Sequence, residues 1–319
     1  MKVKTLRKTF VKSFIRNKSL RKALAKAQSA MEYLMTYGWA ILIISVVLAA
    51  LFQLGVFNPM TFAPKAPPGS CQVFRPNGPY TTSFINLEGI CSGELPEYVA
   101  QFNGAGANVT IKSSYPLLTG DQATMAVWAY WNSGHPGGRQ EILGADSSPG
   151  YEINPIIAFN NSGTDEAETW VCTASSCWPE AKSQANSITP GIWYFLVSRY
   201  NGSSLSLWIN GVQVASTGVS GNLALQGNGN YAYIASRSNT GDYFNGKVAD
   251  AQIYNTSLSA SEIQALYQEG IGGAPIDLQH LVGWWPLNGN ANDYSGNGNN
   301  GQINNVNFVS NWYSGYTPP

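Results

Sequence analysis

The stretch Trp193-Tyr194-Phe195-Leu196-Val197-Ser198-Arg199-Tyr200, Asn201-Gly202-Ser203-Ser204, Leu205-Ser206-Leu207-Trp208-Ile209, Asn210-Gly211 and Val212 decides the fold class. β-Branched and aromatic residues fill two short runs, and each run stops at an Asn-Gly pair. Asn-Gly accepts the positive φ that a tight hairpin turn imposes, so the segment predicts three consecutive antiparallel strands. Outward from it, between Cys71 and about Gly270, the same texture recurs: short apolar runs broken by Asn, Gly and Ser turns, with no parallel βαβ rhythm. The expectation is a mainly β, antiparallel sandwich in which Trp128, Trp193 and Trp208 are buried.

Only 11% of the 319 residues are charged, and the formal net charge of zero conceals an asymmetry. Ten of the eighteen Lys and Arg residues precede Ala27, where no acidic residue stands. From Gln28 onward eight basic residues face eighteen acidic ones, a formal charge of −10, which argues against a nucleic-acid partner. Cys71, Cys91, Cys172 and Cys177 show no C-x-x-C spacing. As neighbours in sequence they suggest disulfides Cys71–Cys91 and Cys172–Cys177; other pairings and free buried thiols are the alternatives.

Residues Tyr33 to Pro64 carry no charge, and the apolar run to Phe57 is long enough for a bilayer, which takes about 20 helical residues. Lysines and arginines crowd its N-terminal side, so the positive-inside rule places residues beyond Phe57 outside the membrane. Lys26-Ala27-Gln28-Ser29-Ala30-Met31-Glu32-Tyr33-Leu34 resembles the class III signal peptides of archaeal type IV pilins. That resemblance implies cleavage by a prepilin peptidase between Ala27 and Gln28. It also implies a role for Glu32 in meeting the N-terminal amine of a neighbouring pilin subunit; the simpler reading puts Glu32 in a first helical turn, where the helix dipole favours an anion. The chain so divides into a basic leader (1–27), an apolar transmembrane or pilin helix (28–57) and a Pro-rich linker (58–70) before the external part. An uncleaved leader lying on anionic lipid is the alternative.

The external part resembles the laminin G-like jelly rolls of the concanavalin A-like superfamily. Four passages carry the likeness: Tyr98 to Gly104, Thr124 to Trp128, the hairpins Trp193 to Val212, and Phe244 to Asn255. A helix is predicted over Leu258 to Glu269, with Ser259 and Glu262 as a capping box and Gly270 to end it. Gly283-Trp284-Trp285-Pro286-Leu287-Asn288-Gly289 looks like the opening strand of this family, yet stands near the C-terminus. Either a truncated second repeat begins there or the domain is permuted; the shortness of the remaining chain favours permutation, giving a sandwich over 71–274 that 275–319 completes.

No catalytic constellation emerges, and the chain reads as a binding protein. His135 and His280 read as solvated loop residues, and Asp165, Glu166 and Glu168 as a solvated acidic loop lacking the paired carboxylates of a glycosidase. No cofactor is called for; calcium is the one candidate, at Asp293 in the Asn-rich loop, although a tight turn needs the same residues. Trp170 and Trp178, flanking the Cys172–Cys177 loop, are the candidates for an exposed glycan-stacking rim. Asn108, Asn160, Asn201 and Asn255 head N-glycosylation sequons. These features together imply a membrane-anchored, pilin-like surface protein whose sandwich adheres to glycans or surface proteins. A glycosidase is the remaining alternative.

Overall fold

The computed structural model describes residues 35, 37–49, 95–132, 138–146, 155–160, 164–224, 230–237 and 241–319. The chain forms two units, Met1–Pro64 and Lys65–Pro319. Ala27, Gln28, Glu32, the linker 58–70, Cys71, Cys91 and His135 lie outside the described residues.

In the first unit residues 37–49 are helical. At 1.5 Å per residue this covers about 20 Å, against about 30 Å for a bilayer core. Among the described residues no helix is long and apolar enough to cross a membrane. Its large apolar side chains, from Tyr37 through Trp39 and Ile43 to Leu48, are all exposed, on every face of the helix.

The second unit is an antiparallel sandwich. Its strands are β1 (Val99–Asn103), β2 (Asn108–Lys112), β3 (Ala123–Trp131), β4 (Arg139–Asp146), β5 (Ile156–Asn160), β6 (Glu166–Cys172) and β7 (Cys177–Lys182). They are followed by β8 (Trp193–Tyr200), β9 (Ser204–Ile209), β10 (Val212–Gly218), β11 (Tyr231–Ile234) and β12 (Asn245–Tyr254). Helix α1 (Ala260–Glu269) precedes β13 (Leu281–Trp285), β14 (Gly301–Asn304) and β15 (Asn307–Val309). The first sheet runs β10-β9-β8-β3-β12-β1-β15, with β13 also on β12, and the second runs β14-β2-β11-β4-β5-β6-β7. The three predicted hairpin strands are β8, β9 and β10. Asn210 and Gly211 both take positive φ (51° and 77°) in the turn between the last two.

Period-two alternation sends one set of side chains from each sheet into a shared core. Val109, Leu143, Ile157 and Ile234 from the second sheet meet Met125, Val127, Leu196 and Val248 from the first. The opposite face of the first sheet is equally apolar, since Trp128, Trp193, Phe195 and Trp208 all point there and are buried. A third layer covers it, made of α1 and the C-terminal tail. Trp128 stacks on Tyr267 of α1, with ring centroids 5.8 Å apart. Ser259 and Glu262 close the expected capping box, and Gly270 follows the helix at φ 79°.

Residues 281–309 belong to this same sandwich. β13 extends along β12 beyond the part that β1 occupies, β14 edges the second sheet against β2, and β15 edges the first against β1. A Cβ at Gly283 would collide with the Trp285 ring, so the glycine in the Gly-Trp-Trp passage makes room for a fully buried indole. The tail then clasps the start of the domain. Trp312 Nε1 donates to Pro96 O (3.0 Å), and its own carbonyl accepts from Trp193 Nε1 (3.1 Å).

Candidate functional site

The outer face of the second sheet carries the acidic run and Trp170. On β6 the alternation places Ala167, Thr169 and Val171 inward, and Glu166, Glu168 and Trp170 outward. The acidic run is therefore not a solvated loop as expected. Glu168 is completely buried: its carboxylate accepts from Arg139 Nε (2.7 Å) and Asn160 Nδ2 (3.0 Å), and Lys182 Nζ lies 3.6 Å away. The strand pairings β4–β5 and β5–β6 set these partners around it. Partial burial by itself would lower the Lys182 pKa. Its hydrogen bond to Glu180 and the charges of Glu168, Glu180 and Glu166 outweigh that and hold it above the ordinary value.

Trp170 is not on an exposed rim either; it is 2% exposed. The Arg139 guanidinium lies 3.8 Å over its ring, a cation–π contact locked by the Arg139–Glu168 ion pair. Among the described residues its Nε1 finds no hydrogen-bond partner. Trp178, by contrast, is 48% exposed and tilts against Trp170 with ring centroids 6.4 Å apart.

Local covalent structure explains that exposure. Cys172 and Cys177 form a disulfide at the end of the β6–β7 hairpin, where a register shift follows Trp170. Trp178 comes next and takes φ 77°, a left-handed conformation that costs a bulky residue about 1–3 kcal/mol. The hairpin end is tied to the loop after β10, with Ser175 Oγ donating to Ser220 O (2.6 Å) and Ala174 N to Asn222 O (3.0 Å). The result is a flat indole held outward on a stapled corner. Beside it stand the partly exposed side chains of Glu180, Lys182 and Arg139. Such a corner offers an apolar plate for the C–H face of a sugar ring and hydrogen-bonding groups for its hydroxyls.

Asp293 and His280 belong to the C-terminal segment that carries β13 and β14. Asp293 is 2% exposed, and its carboxylate accepts the backbone N–H groups of Trp284, Ser295 and Asn299 at 2.8–3.0 Å. It organises the Asn-rich loop as a turn, with two of these donors on Oδ1 and one on Oδ2. His280 is paired rather than simply solvated, with Nδ1 2.7 Å from Asp277 Oδ2. Of the sequon asparagines, Asn201 and Asn255 are exposed. Asn108 is buried, its Oδ1 accepting from Asn304 Nδ2 (2.9 Å). Asn160 is half-buried on Glu168.

One polar cluster escaped the sequence reading. Asp250, Gln252 and Tyr254 project from one face of β12 into the Trp-rich layer. Trp284 Nε1 donates to Asp250 Oδ1 (2.7 Å), Gln252 Nε2 to both Asp250 oxygens, and Tyr254 Oη to Gln252 Oε1 (2.6 Å). Burial pushes the Asp250 carboxyl from 3.8 to about 7, against the opposing effect of the Gln252 and Trp284 hydrogen bonds. Its signal was available in the i, i+2, i+4 spacing of three polar groups among the apolar residues Val248, Ala249, Ala251 and Ile253 of a central strand.

A laminin G-type family model, described as the concanavalin A-like lectin/glucanases superfamily, matches residues 103–264. No match was found among curated proteins. Among solved structures, a candidate carbohydrate binding protein from Bacteroides ovatus superposes with a TM-score of 0.51 at 13% identity, over 68% of this chain and 60% of that one. The chain thus spans less than two thirds of that protein, and at this identity the likeness concerns the fold alone. A heptameric SAP-like pentraxin from Limulus polyphemus gives 0.45 at 11% identity, over 57% of this chain and 85% of that one. The binding domain of botulinum neurotoxin serotype G gives 0.41 at 12%, over 54% and 43%. Because the matched segment runs from the end of β1 into α1 and takes in most of both sheets, the chain belongs to the concanavalin A-like lectin/glucanases superfamily.

Proposed function

We propose that this chain is a cell-surface binding protein. A pilin-like N-terminal segment anchors it, and the sandwich engages glycans or glycosylated surface proteins through the stapled Trp178 corner. The observation that carries the binding reading is the combination at Trp178: an exposed indole, kept in a strained backbone conformation by a disulfide, with a second tryptophan packed behind it. Strain of this kind persists where the surrounding structure enforces it, and it is concentrated at functional positions. The superfamily includes lectins, which agrees with the reading at the level of fold. A glycan panel probed with the full-length chain, with and without calcium, tests it. The expected result is a hit that Trp178→Ala weakens at least about tenfold, equivalent to about 1.4 kcal/mol. Retention of every hit in that variant removes the corner from the reading.

The module acts as a binder and not as a hydrolase. Glu141 and Glu168 share a row on the outer face, one strand apart, which sets their Cα atoms about 9.5 Å from each other. Both are buried, and the Glu168 carboxylate is held between Arg139, Asn160 and Lys182 as a structural anion.

Two observations support anchoring. Residues 37–49 form a helix that is apolar and exposed all round, which suits lipid or neighbouring helices better than water. The basic leader and the Ala27-Gln28 junction before it have the form of an archaeal class III signal, with Glu32 placed for assembly with other pilin subunits. The N-terminal mass of protein extracted from membranes is the test, made with and without an active prepilin peptidase. A chain beginning at Gln28 only when the peptidase is active supports the pilin route. An intact Met1 in both leaves an uncleaved tether.

A further inference from the structure

We propose that the folded protein accepts N-linked oligosaccharide at Asn201 and Asn255 and at neither Asn108 nor Asn160. All four share the Asn-x-Ser/Thr pattern, and the fold separates them. In the buried Asn108, Nδ2 donates to Gly106 O (3.3 Å) while Oδ1 serves Asn304 and Thr110, so a sugar on this nitrogen would have to displace β14. The Asn160 Nδ2 is turned onto the buried carboxylate of Glu168 at 3.0 Å. Asn201 and Asn255 are exposed, and neither side-chain nitrogen donates a hydrogen bond to a described residue.

Asn201 is in addition arranged for the reaction. Its Oδ1 accepts the Ser203 hydroxyl (3.0 Å) and the backbone N–H groups of Ser203 (3.1 Å) and Ser204 (2.8 Å). Three donors converging on the amide oxygen stabilise negative charge there, draw electron density from Nδ2 and make the Nδ2 hydrogens more acidic. With a lipid-linked phosphate or diphosphate oligosaccharide as donor and a transferase as catalyst, the bond formed is Nδ2 to the anomeric carbon. The bond broken joins that carbon to the phosphate oxygen, which leaves as the lipid phosphate anion, and one amide proton passes to the transferase base.

Position gives the modification a consequence. Register pairs Tyr200 with Ala123, and Thr124 with Tyr254, so Asn201 and Asn255 lie at the same end of the first sheet, each just past the last residue of its strand, β8 and β12. At that end Gly221 N approaches Gly202 O (3.4 Å) and Ser220 holds the disulfide loop. An oligosaccharide on Asn201 therefore stands beside the stapled corner, as a screen over one end of the sandwich.

Peptide mass mapping tests this on the full chain, produced in a host whose oligosaccharyltransferase reads Asn-x-Ser/Thr. Glycopeptides are expected at Asn201 and Asn255, with unmodified peptides at Asn108 and Asn160. Ser203→Ala should reduce Asn201 occupancy to background and leave Asn255 unchanged, and Ser203→Thr should restore it; the exposed hydroxyl makes both variants compatible with folding. The proposal is overturned by a bare Asn201 in the parent protein, by equal Asn201 occupancy in Ser203→Ala, or by glycan on Asn108 in soluble folded protein.

Discussion

Replacing Asp250 by Asn should remove a pH dependence of stability that the parent protein shows between about pH 4 and about pH 7. Burial raises the folded carboxyl from 3.8 to about 7, so within that window the folded chain holds a proton that the unfolded chain has released. The stabilisation is present in full below the unfolded value and is lost as pH rises through the folded one. Three pK units at about 1.36 kcal/mol each give a loss of about 4 kcal/mol, large against a typical domain stability of about 5–15 kcal/mol. Asparagine keeps the shape, accepts from Trp284 Nε1 as before, and is received by Gln252 if that amide turns over towards Tyr254. The assay is urea unfolding of the compact unit Lys65–Pro319 at a series of pH values, parent against Asp250→Asn. Relative to the variant, the parent should lose about 4 kcal/mol as pH rises across the window and change no further above it. A constant difference across the range would refute the argument, because it would mean that the carboxyl is ionised in both states.

The packing and the site lead to three further outcomes. Trp312→Ala removes a fully buried indole and the clasp on Pro96, and should cost about 3–5 kcal/mol, read as a fall in Tm of the same unit. Reduction of Cys172–Cys177, or Cys172→Ser with Cys177→Ser, should cost only about 2 kcal/mol because the loop is short, yet should broaden the Trp178 fluorescence environment as the corner loosens. Glu168→Ala leaves Arg139 and Lys182 without their shared anion and should destabilise by about 3 kcal/mol, near the low end for buried pairs because both cations retain some solvent. Glu168→Gln, which keeps an acceptor for Arg139, should lose clearly less in the same unfolding measurement.

Local signals in the sequence reached the elements whose chemistry is local. Asn210-Gly211 marked a hairpin because only a left-handed turn uses both residues, and Ser259 with Glu262 marked the start of α1 because both capping bonds span a single turn. Trp128, Trp193 and Trp208 were readable as buried from their alternation within strands. The site was read less well, for a common reason. Glu166 and Glu168 looked like a loop because acidity was weighed above the alternation Glu166, Glu168, Trp170 against Ala167, Thr169, Val171. What makes a buried glutamate tolerable is Arg139, 29 residues earlier and two strands away, and that pairing is fixed by sheet register. The same guanidinium covers Trp170, so of the two tryptophans expected on an exposed rim Trp170 is buried and Trp178 exposed. Asp293 was weighed as a cation ligand because its three backbone donors become visible only when the turn is formed.

The tail that completes both sheets also sets a clock on folding. Ala100 of β1 pairs with Phe308 of β15, so one edge of the first sheet awaits residues made about 200 positions later. At about 5–20 residues per second, synthesis leaves that edge open for roughly 10–40 s, during which its unpaired N–H and C=O groups can join any other strand. Pairings so distant along the chain place this sandwich among slow folders. A ribosome that stops short of Gly301 therefore releases a chain lacking an edge strand in each sheet, prone to edge-to-edge association with its own kind, and residues 301–309 act as the commitment step for both sheets.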